Sequence, residues 1–119
     1  MSLDGDPAWG EILWSGKWTV LRPTGTLEAD TAGPVRQALR SFTDTEVSHI
    51  LVDLSEIAWM DAVGAGVLIG AYRRTGAYQG DFRLVVPSWA IRNLLKVTGL
   101  IEFVPVYHSI EAAEADLGR

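Results

Sequence analysis

The feature that most restricts the fold is the run HILVDLSEIAWMDAVGAGVLIG at residues 49–70. Its first part, residues 50–54, is β-branched and leucine-rich without alternation, the pattern of a strand buried on both faces. Residues 63–72 are small or apolar at nearly every position, which predicts a helix lying flat against a sheet with little face left for water. Residues 55–62 between them read as a loop. Asp61 falls where the helix begins, so its carboxylate can accept free backbone N–H groups and meet the positive end of the helix dipole. The joint is a strand, a loop and a helix N-terminus turned to solvent, which is where an α/β domain commonly holds its functional site.

The rest of the chain supplies alternating elements around this joint. Residues 1–9 are polar, with glycine and proline, and read as a loose leader. Residues 11–14 and 18–22 are short runs rich in Trp, Ile, Val and Thr, joined by Ser15, Gly16 and Lys17 in the pattern of a hairpin flanked by Trp14 and Trp18. Pro23 and Gly25 break that strand, leaving Thr26 and Glu28 on a loop. Asp30 or Thr31 is the expected N-cap of an amphipathic helix that buries Val35, Ala38, Leu39 and Phe42.

Beyond the central joint, Gly76 and Gly80 close its helix and residues 81–86 predict a strand ending at Pro87. Ser88 then caps a helix with Ile91, Leu94, Leu95 and Thr98 inward, stopped by Gly99. Residues 103–107 predict a last strand, and Ser109 a last cap before a helix burying Ile110, Ala113 and Leu117. Such alternation predicts an α/β domain with a mostly parallel mixed sheet of about five strands, about four helices and an N-terminal hairpin.

Composition bounds the functions available. At 119 residues the chain is read as one domain, able to bury about two-thirds of its unfolded surface. The absence of cysteine excludes disulfides, a thiolate nucleophile and cysteine zinc sites. No apolar run reaches membrane-spanning length and the first ten residues lack a basic segment, so neither direct membrane insertion nor a signal peptide is expected, and the protein is read as cytoplasmic. A net charge of −5 argues against nucleic acid as a partner, and no local basic patch stands out along the sequence.

Several pieces together resemble the STAS domain of anti-sigma factor antagonists. They are Gly25-Thr-Leu-Glu28, Leu51-Val-Asp-Leu54, Met60-Asp61, Gly64-Ala-Gly-Val-Leu68, Ala90-Ile-Arg-Asn-Leu-Leu95 and Thr98-Gly-Leu100. The resemblance runs from about Trp9 to Leu117. It implies a non-enzymatic protein-binding module without a cofactor, whose partner is an anti-sigma factor of histidine-kinase-like ATPase fold. The implied contact surface is Thr26, Glu28, Trp59, Met60, Asp61, Ala62, Val63 and Gly64. The family pattern has a phosphorylatable serine or threonine after the aspartate, and here that position is Ala62, followed by Val63. Neither side chain has a hydroxyl to phosphorylate, so the usual switch is chemically unavailable there. Two other readings stay open: a STAS subunit of a lipid or ABC-type transport system, and a nucleotide-binding or sensory STAS domain.

Other motifs favour structural roles. Gly64, Gly66 and Gly70 follow a strand and open a helix as a dinucleotide fingerprint would, but the third glycine comes one residue late and a long loop replaces the tight turn. Packing of a helix on a neighbour explains them better. Asp53, Glu56 and Asp61 could in principle hold a hard cation, yet Asp53 as a cap of loop amides and Asp61 as a helix N-cap outweigh a metal. His49 and His108 lie at strand edges, and no serine elbow is present. Trp59 is expected beneath the helix in preference to the surface. Trp14 and Trp18, if both exposed, would form an apolar patch favouring a homodimer.

Overall fold

The computed structural model describes residues 7–43 and 48–117. The hairpin forms where the tryptophan-bearing runs predict it. β1 (Gly10–Ser15) pairs antiparallel with β2 (Trp18–Pro23), Ser15 opposite Trp18. Gly16 sits in the turn at φ +58°, a conformation that favours glycine. Residues 7–9, read as part of a loose leader, are tied to the fold. Residues 1–6 lie outside the described residues, but Gly10 N–H donates to Pro7 O, Trp9 O accepts from Thr24 N–H, and the Trp9 ring packs on the core.

Two strands appear where the sequence predicts loop. β3 (Gly25–Leu27) and β5 (Ile57–Met60) pair in parallel as a small second sheet, with α1 (Ala32–Thr43) and β4 (His49–Asp53) between them in sequence. Strands of three and four residues are too short to show a period of two, and each is stabilised by the other across a long separation. The predicted strand over residues 50–54 is β4. Thr31 precedes α1, but its hydroxyl accepts from Glu28 N–H and donates to Thr26 O, so it pins the preceding turn.

The remaining elements are α2 (Ala62–Ala77), β6 (Asp81–Val85), α3 (Trp89–Val97), a 3-10 turn (Leu100–Glu102), β7 (Val106–Tyr107) and α4 (Ile110–Ala115). Ser88 Oγ accepts from Ile91 N–H and Ser109 Oγ from Ala112 N–H, so both predicted caps form. The last strand is shorter than expected because Gly99, at φ +79°, turns the chain into the 3-10 segment before it can extend. Leu117 is 97% exposed, since α4 ends at Ala115 and never brings it inward.

The main sheet runs β1-β2-β4-β6-β7, antiparallel only at the hairpin. Ile50, Val52, Phe82 and Leu84 on one face pack with Val35, Leu39, Leu68, Ala71, Ile91 and Leu95 from the first three helices. Trp18, Val20, Leu51 and Val85 on the other face meet Ala113 of α4. This alternation buries β4 on both sides, and it hides Trp18 while Trp14 stays exposed. The paired tryptophan patch expected to favour a homodimer is therefore not formed. Instead, Trp18 lies edge-on to His49 and beneath the Arg83 guanidinium, which donates to Ala113 O and Asp116 O.

At the end of β4, the buried Asp53 accepts from Ser55 N–H at 3.0 Å, as expected, and from Arg22 Nε at 2.9 Å. The hydrogen bond that Arg22 donates to Asp53, followed by the Glu11 contact, holds the Arg22 guanidinium protonated, above its ordinary range, against partial burial. Removing Asp53 would strand a loop amide and half of Arg22's pairing. Asp53→Ala is expected to destabilise by about 2 kcal/mol in urea unfolding, with Asp53→Asn falling between it and the wild type.

The glycines of α2 divide sharply. A Cβ at Gly64 would lie 2.0 Å from Leu27 O, whereas one at Gly66 meets nothing within 4 Å. Gly64→Ala should destabilise by about 3 kcal/mol or more through that backbone clash. Gly66→Ala should stabilise by about 0.5–1 kcal/mol because alanine is the better helix former. Opposite shifts in urea midpoint check the pair.

Candidate functional site

The predicted site rests on two segments far apart in sequence, residues 25–28 and 59–64. β3 and β5 bring them together: Thr26 stands opposite Trp59, and Leu27 opposite Met60. The chain then passes to α2 through Asp61, whose own N–H donates to Leu27 O at 3.3 Å. Three elements thus meet at one corner.

Asp61 holds that corner. Its backbone is extended, and Oδ1 accepts from Val63 N–H at 2.9 Å and Gly64 N–H at 3.1 Å, satisfying two of the orphan donors at the start of α2. Oδ2 accepts from Ala29 N–H at 3.3 Å, which ties the β3–α1 turn to the same carboxylate. Thr31 fixes the turn from its other side, and Glu28 O accepts from Thr31 and Ala32 N–H. The corner is braced by backbone hydrogen bonds throughout.

Exposure separates the predicted contact residues into two groups. Ala62 and Val63 are open to solvent in the first turn of α2, Trp59 is 49% exposed, and Thr26, Glu28 and Asp61 are half-buried. Met60 is only 3% exposed and Gly64 is buried against β3. Both were expected on the contact surface, and both lie under it. Ile57 and Met60 are the inward residues of β5 while Ala58 and Trp59 face outward, because the pairing with β3 skips Ala58 and the alternation restarts after that irregularity. That irregularity overturns the expectation that Trp59 is core.

The acidic residues near the joint do not converge. Asp53 faces Arg22 and Ser55, and Asp61 faces backbone amides. No group of three or more His, Cys, Asp or Glu suited to a metal occurs among the described residues. Among the described residues no helix is long and apolar enough to cross a membrane. The dinucleotide reading of Gly64 is displaced by its packing role on Leu27.

A cationic groove beside this corner was not anticipated from the sequence. Arg36 and Arg40 of α1 and Arg74 of α2 line the seam between the helices, with Val63, Gly66 and Gly70. The expectation that no basic patch stands out is corrected here, because the arginines are scattered in sequence and gathered only by helix pairing. The readable signal was the four-residue spacing of Arg36 and Arg40 in a helix with no acid.

What the corner offers chemically is a rigid, partly apolar surface around a capped helix N-terminus, carried on an α/β fold with an added two-stranded sheet. The chain belongs to the STAS family: the STAS domain matches residues 13–113. It is 30% identical over 82 residues to the anti-sigma-B factor antagonist of Listeria monocytogenes, covering 69% of this chain and 72% of that protein. An anti-sigma factor antagonist from Mycobacterium paratuberculosis has the same fold, with TM-score 0.78 at 24% identity over 87% of both chains. So does the phosphorylated form of the Bacillus cell fate determinant SpoIIAA, with TM-score 0.64 at 22% identity over 87% of this chain and 96% of that one.

Replacing Asp61 by alanine frees Val63, Gly64 and Ala29 N–H at once. The expected cost is about 1–2 kcal/mol in urea unfolding, with faster hydrogen exchange confined to residues 29 and 62–65. Uniform acceleration across the sheet would show that the carboxylate does not brace this corner.

Proposed function

We propose that the chain is an anti-sigma factor antagonist that docks an anti-sigma factor of histidine-kinase-like ATPase fold, freeing a sigma factor by competition in the cytoplasm. The contact face comprises Thr26, Glu28, Trp59, Asp61, Ala62 and Val63, with Met60 and Gly64 supporting it from below. The observation that carries this reading is the joining of two distant segments into one braced, solvent-facing corner with an exposed aromatic. Half-exposed tryptophan is the side chain most suited to anchor a protein interface. The names of the similar proteins, anti-sigma factor antagonists, support the partner class.

Ala62 occupies the first position of α2, directly after the capping aspartate. A phosphoryl group there would bring a dianion to the centre of the face. Alanine withholds the acceptor oxygen. The proposed module therefore binds without a phosphorylation cycle at this position, and its occupancy follows partner concentration and affinity alone.

Two substitutions at the exposed Ala62 test this. Ala62→Glu is expected to weaken anti-sigma factor binding at least tenfold in a calorimetric titration, about 1.4 kcal/mol, with an unchanged urea midpoint. Ala62→Ser is expected to gain a phosphoryl group when incubated with the anti-sigma factor and ATP, read by intact mass. Wild-type affinity in Ala62→Glu, together with no mass change in Ala62→Ser, would remove the partner class from consideration.

A further inference from the structure

The groove between α1 and α2 is open, with a volume of about 380 Å³. Its floor is made by missing side chains. Gly64 has a structural reason to be glycine, because β3 crosses against it; Gly66 has none, since a Cβ there would meet open space. Glycine is a poor residue for the middle of a helix, so an unneeded glycine facing a groove leaves room for something outside the chain.

The walls carry one sign of charge. α1 and α2 bear Arg36, Arg40, Arg73 and Arg74 and no Asp or Glu, in a chain whose net charge is −5. Arg36 and Arg40 sit one turn apart on α1, about 6 Å along its axis. Both are exposed, and neither has a hydrogen-bond or ion-pair partner among the described residues. Arg74 closes the far end, its Nε donating to Thr43 Oγ1. Among the described residues, Asp61 is engaged by three backbone N–H groups, and Asp30 lines a separate hollow beside Trp9 and Pro34.

We infer that this groove extends the docking face and seats an acidic segment of the bound anti-sigma factor, with carboxylates paired to Arg36 and Arg40. The inference rests on the proposed function, because Val63 belongs both to the contact corner and to the groove, making the two surfaces continuous. Guanidinium forks match carboxylates in two-pronged geometry, and two forks one helical turn apart match two acids one turn apart on a partner helix. Nucleic acid fits less well: a chain of this net charge repels a polyanion, whereas a short acidic segment meets only the local positive field. The positive groove would also steer the encounter, making association sensitive to salt.

The experiment titrates purified anti-sigma factor against the wild type, Arg36→Glu/Arg40→Glu, Gly66→Gln and Ala62→Glu, at low and high salt. The arginine pair reversed in sign should weaken binding at least tenfold and flatten its salt dependence, with the fold unchanged by circular dichroism. Gly66→Gln, which fills the floor without touching charge, should weaken binding about three- to tenfold while keeping the salt dependence. Loss of binding in Ala62→Glu alongside wild-type affinity and salt response in the arginine and glycine variants would overturn the groove and leave the docking corner standing. No binding by the wild type would overturn both. Amide shifts along residues 32–43 and 62–77 on adding inorganic phosphate, ATP or a DNA oligonucleotide to the chain alone would reassign the groove to those anions.

Discussion

The fold turns on the approach of α2 to β3. Because Gly64 lets the helix come within touching distance of Leu27 O, the Asp61 carboxylate can reach the amides of its own helix and of Ala29 together. One close contact thereby aligns three things: the start of a helix, the edge of a two-stranded sheet and the turn into α1. Every residue at the proposed docking corner takes its position from that alignment. A side chain at position 64 would push the helix away and uncouple them.

The same arrangement sorts roles among neighbours in sequence. Met60 and Gly64 look inward, Trp59, Ala62 and Val63 look outward, and Asp61 stands between, engaged by backbone. A rigid corner of this kind can recognise a partner with little ordering at the moment of contact, which favours binding over rearrangement. A protein of the same fold has been solved in a phosphorylated form. In the proposed reading, Ala62, without a hydroxyl, leaves adjustment of binding to the surrounding charges. The arginine-lined seam between α1 and α2 lies beside the corner.

Much of the architecture was legible because it follows from local rules. The hairpin needed Gly16 at positive φ, the caps at Asp61, Ser88 and Ser109 needed short acceptors, and the buried strand 50–54 needed an unbroken apolar run. The illegible parts share one cause. β3 and β5 exist only through each other, and Trp59 faces out only because their pairing skips Ala58. The terminal helix stops before Leu117, and the last strand is clipped by the turn at Gly99, both set by how the chain must meet the sheet edge. Trp18 is buried by Arg83 and the β4 face, a pairing across distant positions that periodicity does not report.

The sequence by itself determined the order of the main-sheet strands and the helices, the caps at Asp61, Ser88 and Ser109, the family, and that residue 62 carries no hydroxyl, since each depends on residues within a turn or two of one another or on identity at a single position. Tertiary structure alone decided which site residues face solvent and that Arg36, Arg40 and Arg74 share one groove. Those outcomes depend on pairing between segments dozens of residues apart, where a one-residue shift in register or a small rotation of a helix would turn the same side chains elsewhere.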